Sequence, residues 1–391
     1  MHSLPLPEPT AEAIEHSRRL QELICEEIGQ QGGAIPFDRY MELALYAPGL
    51  GYYTAGLRKF GAQGDFVTAP EISPLFSRAL AHQVRQLFER CGGGDVLEFG
   101  AGSGRLAVDL LRELERLDSL PERYRILEVS PDLRQRQQQL VAAEIPHLEQ
   151  RLQWLERLPQ QRLRGAVIAN EVLDAMPVHR FRTRSDSSGE IEEATVVCSD
   201  AVLATAWRPA SMELQHAVAD LGIELPEACE SEVNLRLPPW IAAISDVLAQ
   251  GALLLIDYGY TRSEYFHPQH REGTLMCHFR QHAHADALHY PGLQDITAHV
   301  DFTAVAEAAD AAGLQVAGYT NQASFLLACG IEQLLQASAA DQDRAWFQQT
   351  EGLKRLLLPS EMGERFKVMA LTRGVDEPLQ GFIANNMLYQ L

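Results

Sequence analysis

Three glycines at alternate positions form the segment of this chain best suited to hold a ligand. An apolar run, 95–99, contains the acidic Glu98 near its end, and Gly100, Gly102 and Gly104 follow it. Because glycine has no Cβ, the loop can turn sharply and lie close to a bound molecule. The N–H groups of the helical pattern that follows would point at that molecule. The stretch predicts a strand, a loop and a helix that together bind a nucleotide.

The spacing of these glycines separates two kinds of cofactor. A dinucleotide fingerprint needs G-x-G-x-x-G, whereas this loop is G-x-G-x-G. It resembles motif I of class I S-adenosyl-L-methionine (SAM) methyltransferases. SAM has no pyrophosphate, so the loop would lie against adenosine and the methionine moiety, and nearby polar groups would meet the amino-acid end. Glu98 is predicted as a cofactor-binding residue together with the three glycines. The alternative is a glycine-rich turn that binds nothing.

A second acidic residue follows the next predicted strand. The run 124–129 contains Glu128, at about the offset where a carboxylate meets ribose hydroxyls in βαβ nucleotide sites. A carboxylate accepts two hydrogen bonds from a diol. We therefore predict that Glu128, with its neighbours Val129 and Ser130, contacts the cofactor. A solvent-exposed glutamate at a strand end is the alternative. The nearby glutamine-rich run 135–139 is interpreted as a solvated helix face.

A third group of polar residues follows the predicted strand 165–170. Ligands of open α/β sheets bind beyond the carboxyl ends of the strands, so Asn170 and Glu171 should face the cleft. Glu171 and Asp174 could hold a guanidinium by paired hydrogen bonds. We predict Asn170, Glu171 and Asp174 as catalytic residues, with Asn170 also touching the cofactor. Capping of a following helix is the alternative, and it suits Asp174 better than Glu171.

Substrate contacts are predicted for three further residues. Asp257 and Tyr258 end another strand, and His299 precedes a helical pattern.

The histidines of the segment 261–301 lack the spacing of a metal site, and the six cysteines include no C-x-x-C pair. No metal is expected.

Composition limits the class of protein. The chain has 391 residues, is 46% hydrophobic and 22% charged, and carries a formal net charge of −20. Such acidity argues against a nucleic-acid partner, which would need clustered Lys and Arg. It suits a cationic substrate, although it can equally serve solubility alone.

The scattered cysteines and the N-terminal residues bear on the compartment. Neither a disulfide framework nor a secretory signal is predicted, and no apolar run approaches the length of a membrane span. Reduced thiols in a cytoplasmic protein are the expectation, and the oligomeric state is left open.

Strand and helix patterns alternate along most of the chain. Strands are predicted at 95–99, 124–129, 165–170, 251–257, 314–320 and 366–372. This alternation indicates an α/β fold with a mostly parallel sheet covered by helices. Three parts are expected: an N-terminal helical and cofactor-lid segment, 1–91; a SAM-binding core, 92–177, 239–260 and 302–391; and insertions that form a substrate-side lid, 178–238 and 261–301.

Several peptides together resemble the MidA-like methyltransferases, a family that includes the mitochondrial assembly factor of respiratory complex I. The peptides are 64–74, 98–105, 169–177, 256–259, 273–275, 295–301 and 364–368. The resemblance implies a SAM-dependent methyltransferase with a Rossmann-like sheet that ends in an antiparallel strand, here 368–372. It also implies that a lid contacts the cofactor through Gly64, Asp65, Phe66 and Thr68.

The same resemblance implies a protein substrate, methylated on arginine, in a respiratory-complex-type subunit. Fold and cofactor do not fix the substrate, so other functions stay open. They are an assembly chaperone that retains a SAM-binding fold and a small-molecule N- or O-methyltransferase. A nucleotide-dependent oxidoreductase is disfavoured by the glycine spacing.

Overall fold

The computed structural model describes residues 6–56, 67–184, 190–338 and 344–391. In chain order the helices are α1 (Ala11–Gln30), α2 (Phe37–Tyr46), α3 (Ala69–Ile72), α4 (Pro74–Cys91), α5 (Arg105–Arg116), α6 (Pro131–Glu144), α7 (Met212–Ala219), α8 (Leu237–Val247), α9 (Arg262–Tyr265), α10 (Phe302–Ala311), α11 (Gln322–Ala328), α12 (Ile331–Ser338), α13 (Arg344–Leu357) and α14 (Met362–Arg365). The strands are β1 (Ile35–Pro36), β2 (Asp95–Phe99), β3 (Tyr124–Leu127), β4 (Leu152–Leu155), β5 (Leu163–Asn170), β6 (His179–Thr183), β7 (Ile191–Ser199), β8 (Val202–Pro209), β9 (Glu230–Val233), β10 (Leu248–Tyr260), β11 (Met276–Phe279), β12 (His282–His284), β13 (Asp295–Thr297), β14 (Val300–Asp301), β15 (Gln315–Asn321) and β16 (Phe366–Arg373).

The described chain divides into two compact units. The sheet unit comprises Val67–Leu173, Pro238–Gly259 and Phe302–Leu391. The insertion unit comprises Met1–Phe66, Asp174–Leu237 and Tyr260–Asp301. The division groups α1 and α2 with the two insertions, whereas the sequence-based division joined them to α4 in one N-terminal segment.

The sheet unit is built on strands in the order β15-β16-β10-β5-β2-β3-β4. Pairing from β4 across to β10 is parallel, and β16 runs antiparallel to both β10 and β15. The predicted α/β fold and its antiparallel last strand are thereby confirmed. Sequence patterns missed β4, a four-residue strand at the sheet edge.

The apolar residues of β10 and β5 explain why the centre of this sheet is buried. Residues 252–256 of β10 and 166–168 of β5 are fully buried, as expected for parallel strands covered by helices on both faces. Gly251 and Gly165 lie where these two strands meet. A Cβ on Gly251 would stand 1.8 Å from the carbonyl oxygen of Gly165, so close pairing here requires glycine. The paired strands bring their carboxyl ends to one edge of the sheet.

The insertion unit is built on antiparallel strands. The order β1-β7-β6-β9, with β8 paired to β7, forms one sheet, and β12-β11-β13 forms another. Leu20, Ile24, Tyr40 and Met41 of α1 and α2 are buried in a core with residues of β7, β11 and β13. Antiparallel pairing in the insertion 178–238 agrees with the alternating runs of its sequence.

A disulfide joins Cys25 of α1 to Cys198 of β7. The expectation that all cysteines are reduced is therefore wrong. The two residues are 173 positions apart, so their sequence spacing carries no sign of the pairing. The fold brings them together because α1 packs on β7. The remaining cysteines are buried thiols.

Two properties concern membranes and metals. No helix in the described ranges is both long enough and apolar enough to cross a bilayer. Among the same residues, no group of three or more His, Cys, Asp or Glu side chains is arranged to hold a metal ion.

Candidate functional site

The glycine loop leaves β2 at the carboxyl edge of the sheet. Gly100, Gly102 and Gly104 have φ angles of 59°, 53° and 87°, in the left-handed region that favours glycine. The N–H of Gly100 donates to the carbonyl of Leu127 at the end of β3, 3.1 Å away. Gly104 is the residue that precedes α5. The strand, loop and helix predicted here are present.

Glu71 of α3 also contacts this loop, and sequence analysis assigned it no role. The hydroxyl of Ser103 donates to its carboxylate, and the N–H of Arg105 donates to the same Ser103 oxygen at 3.2 Å. Thr68 lies directly before α3, with its carbonyl accepting from the N–H of Glu71. The predicted lid residues Gly64, Asp65 and Phe66 lie outside the described residues.

Glu128 is held rigidly just beyond β3. Its side chain is only 4% exposed, and one carboxylate oxygen accepts from the N–H of Ser130 at 2.9 Å. The other accepts from Nε2 of Gln137 at 3.0 Å. The Ser130 side chain is buried and caps α6, which gives it a structural role. Val129, in contrast, is 57% exposed.

Glu98 is buried near Glu128. The hydroxyl of Tyr124 donates to its Oε2 at 2.7 Å, and the side chain is 3% exposed. Burial raises the pKa of Glu98 to about 8; the hydrogen bond from Tyr124 opposes this shift, and the charge of Glu128 adds to it. Glu98 is therefore largely protonated at neutral pH.

This burial predicts a pH-dependent stability. In the unfolded chain Glu98 titrates near 4.5, so the folded protein binds its proton more tightly. The resulting stabilisation is complete below pH 4.5 and is lost as the pH rises through about 8. Between pH 4.5 and 8 the free energy of unfolding of the wild-type protein should fall by an amount on the order of 5 kcal/mol, and Glu98→Gln should remove this fall. Urea unfolding of both proteins at several pH values measures the free energy of unfolding. An equal fall in both proteins would contradict the raised pKa of Glu98.

Asn170 and Glu171 lie together at the carboxyl end of β5. Asn170 Nδ2 donates to Glu171 Oε1 at 3.1 Å, while Asn170 Oδ1 is buried and has no hydrogen-bond partner among the described residues. Glu171 has a φ of 53°, a strained conformation for a residue with a side chain. Its N–H donates to the carbonyl of Ile256 at 2.9 Å, which holds this backbone in place. Strain of this kind often marks functional positions.

Asp257 and Tyr258 have contacts within the sheet unit. The two carboxylate oxygens of Asp257 accept from the N–H groups of Leu173 and Tyr258, each at 2.9 Å. Asp257 thus fixes the segment that follows Asn170 and Glu171. The Tyr258 ring packs edge-on against Phe366, with centroids 5.4 Å apart.

Asp174 and His299 belong to the insertion unit. Asp174 is buried, and its carbonyl accepts from the N–H of Ala298 at 2.9 Å. No helix forms in the described stretch 171–178, so the alternative role of Asp174 as a helix cap is wrong. The His299 ring stacks on Tyr260, with centroids 5.0 Å apart and planes 4° apart.

Gln137 corrects the interpretation of the glutamine-rich run as a solvated face. Its side chain is fully buried in α6, whereas Gln138 and Gln139 are exposed. Leu133 and Val141, four residues to either side, are buried as well. The signal was present in the sequence, because residues at this spacing share one face of a helix.

The residues of the sheet unit fit S-adenosyl-L-methionine. Glu128 would hold the ribose diol, and the exposed Val129 would contact the adenine. The bare backbone of Gly100 and Gly102 leaves room for close approach. The unpartnered Oδ1 of Asn170 offers an acceptor for a cationic ammonium.

Comparisons with known proteins agree with this fit. Residues 77–320 match the model of a family described as S-adenosyl-L-methionine-dependent methyltransferases. The mitochondrial protein arginine methyltransferase NDUFAF7 homolog of Drosophila melanogaster is 30% identical over 88% of this chain and 82% of its own length. The human mitochondrial protein arginine methyltransferase NDUFAF7 is 27% identical over 87% of this chain and 80% of its own.

A solved structure covers nearly the whole fold. It is a protein from Burkholderia thailandensis bound to S-adenosyl-homocysteine, with a TM-score of 0.94 and 42% identity. The match spans 99% of this chain and 100% of that one. This neighbour binds the demethylated form of the cofactor expected here.

The relatives also correct the expected compartment. The cytoplasmic location inferred from the sequence is contradicted, since these relatives are named as mitochondrial proteins. The inference was based on the scattered cysteines, on the lack of an apolar secretory signal and on the lack of an apolar run long enough to span a membrane. None of these observations detects sorting signals for organelles, which are amphipathic rather than apolar.

The cofactor is S-adenosyl-L-methionine and the chemistry is methyl transfer, as indicated by the glycine loop, the buried carboxylates, the strand order and the matched relatives. The chain belongs to the family of S-adenosyl-L-methionine-dependent methyltransferases.

Proposed function

We propose that this enzyme transfers a methyl group to the side chain of an arginine in a partner protein. The observation that carries the proposal is the Asn170–Glu171 pair, which sets a carboxylate at the carboxyl end of β5. Carboxylates at this edge suit a guanidinium, which forms two parallel hydrogen bonds to one carboxylate. Relatives named as protein arginine methyltransferases support the same acceptor.

The contacts of Glu171 suit it to orient an acceptor. Asn170 Nδ2 donates to Oε1 at 3.1 Å, and the backbone N–H bonds to Ile256 of β10. Because a rigid strand end supports the residue, its carboxylate can hold a planar guanidinium in one orientation. Orientation of this kind can supply much of the rate of a two-substrate reaction.

When bound, S-adenosyl-L-methionine supplies a methyl group carried on a sulfonium sulfur. Glu171 would hold the guanidinium so that one nitrogen is directed for attack, and its carboxylate can accept the proton which that nitrogen loses. Asp174 is retained as a second candidate for the guanidinium. Asp257, Tyr258 and His299 stay candidates for substrate contacts.

The acceptor is proposed to be a protein of basic local sequence. The net charge of −20 would attract a cationic segment at low ionic strength. The family resemblance implies a subunit of a respiratory-type complex as the acceptor.

The proposal is tested by adding the purified protein and methyl-labelled SAM to a lysate of cells that lack this protein. We expect label in a small number of proteins and, after acid hydrolysis and mass spectrometry, in methylated arginine. A reaction with Glu171→Gln protein is the control for other methyltransferases in the lysate. Label in lysine or only in small molecules would contradict the arginine assignment.

A scaffold without catalysis gives a different result. It would bind S-adenosyl-homocysteine in calorimetry yet add no label above the Glu171→Gln control. A small-molecule methyltransferase would release all of its label into the fraction below the size of proteins.

A further inference from the structure

Gln137 connects two parts of the cofactor site from inside helix α6. Its Nε2 donates to the carbonyl of Gly102 at 2.9 Å and to Oε2 of Glu128 at 3.0 Å. Its Oε1 accepts from the indole N–H of Trp154, on β4, at 2.9 Å. The side chain is fully buried. One amide thus bonds the glycine loop, the carboxylate and the neighbouring strand.

Chemistry fixes the orientation of this amide. An indole N–H can only donate, so it must face the amide oxygen. The carbonyl of Gly102 can only accept, so it must face the amide nitrogen, which also lies against Oε2 of Glu128. A flipped amide would break all three hydrogen bonds. Trp154 therefore determines which end of Gln137 faces the site.

We propose that Gln137 is a positioning residue for the ribose of the cofactor. It holds the Glu128 carboxylate and the glycine loop in fixed relation to each other, so that the diol meets a preorganised acceptor. The proposal rests on the assignment of Glu128 to the ribose. Gln137 itself need not touch the ligand.

The buried setting makes the effect large enough to measure. Loss of the amide leaves the carbonyl of Gly102 and one oxygen of Glu128 without this donor. A tenfold change in affinity corresponds to about 1.4 kcal/mol, which the loss of a hydrogen bond to a buried group can supply. Because the carboxylate is then less constrained, we expect its preference for a diol to fall about tenfold.

Competition against S-adenosyl-homocysteine with two nucleosides tests the proposal. Adenosine carries the diol and 2′,3′-dideoxyadenosine lacks it, so the ratio of their affinities reports ribose recognition alone. We expect Gln137→Leu to reduce this ratio about tenfold. Gln138→Leu makes the same change at the adjacent exposed position of α6 and should leave the ratio unchanged. A merely structural role would weaken both nucleosides equally, which would overturn the proposal.

Two further variants keep the test decisive if Gln137→Leu does not fold. Trp154→Phe removes the donor that orients the amide while keeping an aromatic ring, and it should also reduce the ratio. Glu128→Gln should reduce the ratio by itself, and adding Gln137→Leu to it should then change little. If Glu128→Gln leaves the ratio unchanged, the ribose assignment fails. If it reduces the ratio but Trp154→Phe and Gln137→Leu do not, only the role of Gln137 is overturned.

Discussion

Glu171→Gln is expected to lower the rate of methyl transfer by about 10² to 10⁴-fold while changing the affinity for S-adenosyl-homocysteine less than about twofold. The amide keeps an oxygen that can accept from Asn170 Nδ2, so the local structure should survive. It loses the charge that holds a guanidinium and the ability to accept a proton. Single-turnover labelling measures the rate, and calorimetry measures the affinity.

Glu122→Gln serves as the matched control for this variant. It makes the same substitution in the sheet unit at a side chain that is 72% exposed, and it should leave rate and affinity unchanged. Loss of cofactor binding by Glu171→Gln, in step with the rate, would show that Glu171 supports the cofactor rather than the acceptor.

Gly102→Val should abolish detectable binding of S-adenosyl-homocysteine, with a loss of at least about 100-fold. A β-branched side chain is strained at the observed φ of 53°, at a cost of about 1–3 kcal/mol. The new methyl groups would also fill the space beside the backbone of Gly102, where the cofactor is expected to lie. Calorimetric titration with S-adenosyl-homocysteine measures the effect.

Gly92→Val separates ligand exclusion from general strain. Gly92 follows α4 with a φ of 70°, and a Cβ there would meet nothing within 4 Å. This variant has a similar backbone strain away from the glycine loop, so it should lose stability but keep its affinity. If the two variants lose affinity equally, the loss at Gly102 reflects unfolding and the loop assignment is contradicted.

Local sequence was sufficient to predict the central sheet except for its edge strand β4. Residues 95–99 were expected as a strand and form β2, and the run 251–257 lies within β10. Both are apolar runs bounded by glycine or polar residues, so periodicity and length identified them. The glycine loop was equally readable, because its left-handed φ angles demand the residue type that the sequence shows.

Long-range partners were not readable from sequence. The pairing of Cys25 with Cys198 depends on α1 packing against β7. The hydrogen bond from Ser103 to Glu71 joins two motifs that are separate in the sequence. Gln137 lies between these cases, since its helical face was predictable but its polar partners were not.

The position of β16 affects the order in which the chain can fold during synthesis. β15 pairs with β16, and β16 lies between β15 and β10 although it comes later in the chain. The ribosome must therefore release residues as far as Arg373 before β15 and β16 can join the sheet, however early the glycine loop emerges. Until then the chain carries an incomplete sheet edge, and translation pauses or premature termination before that point would expose it to aggregation or proteolysis.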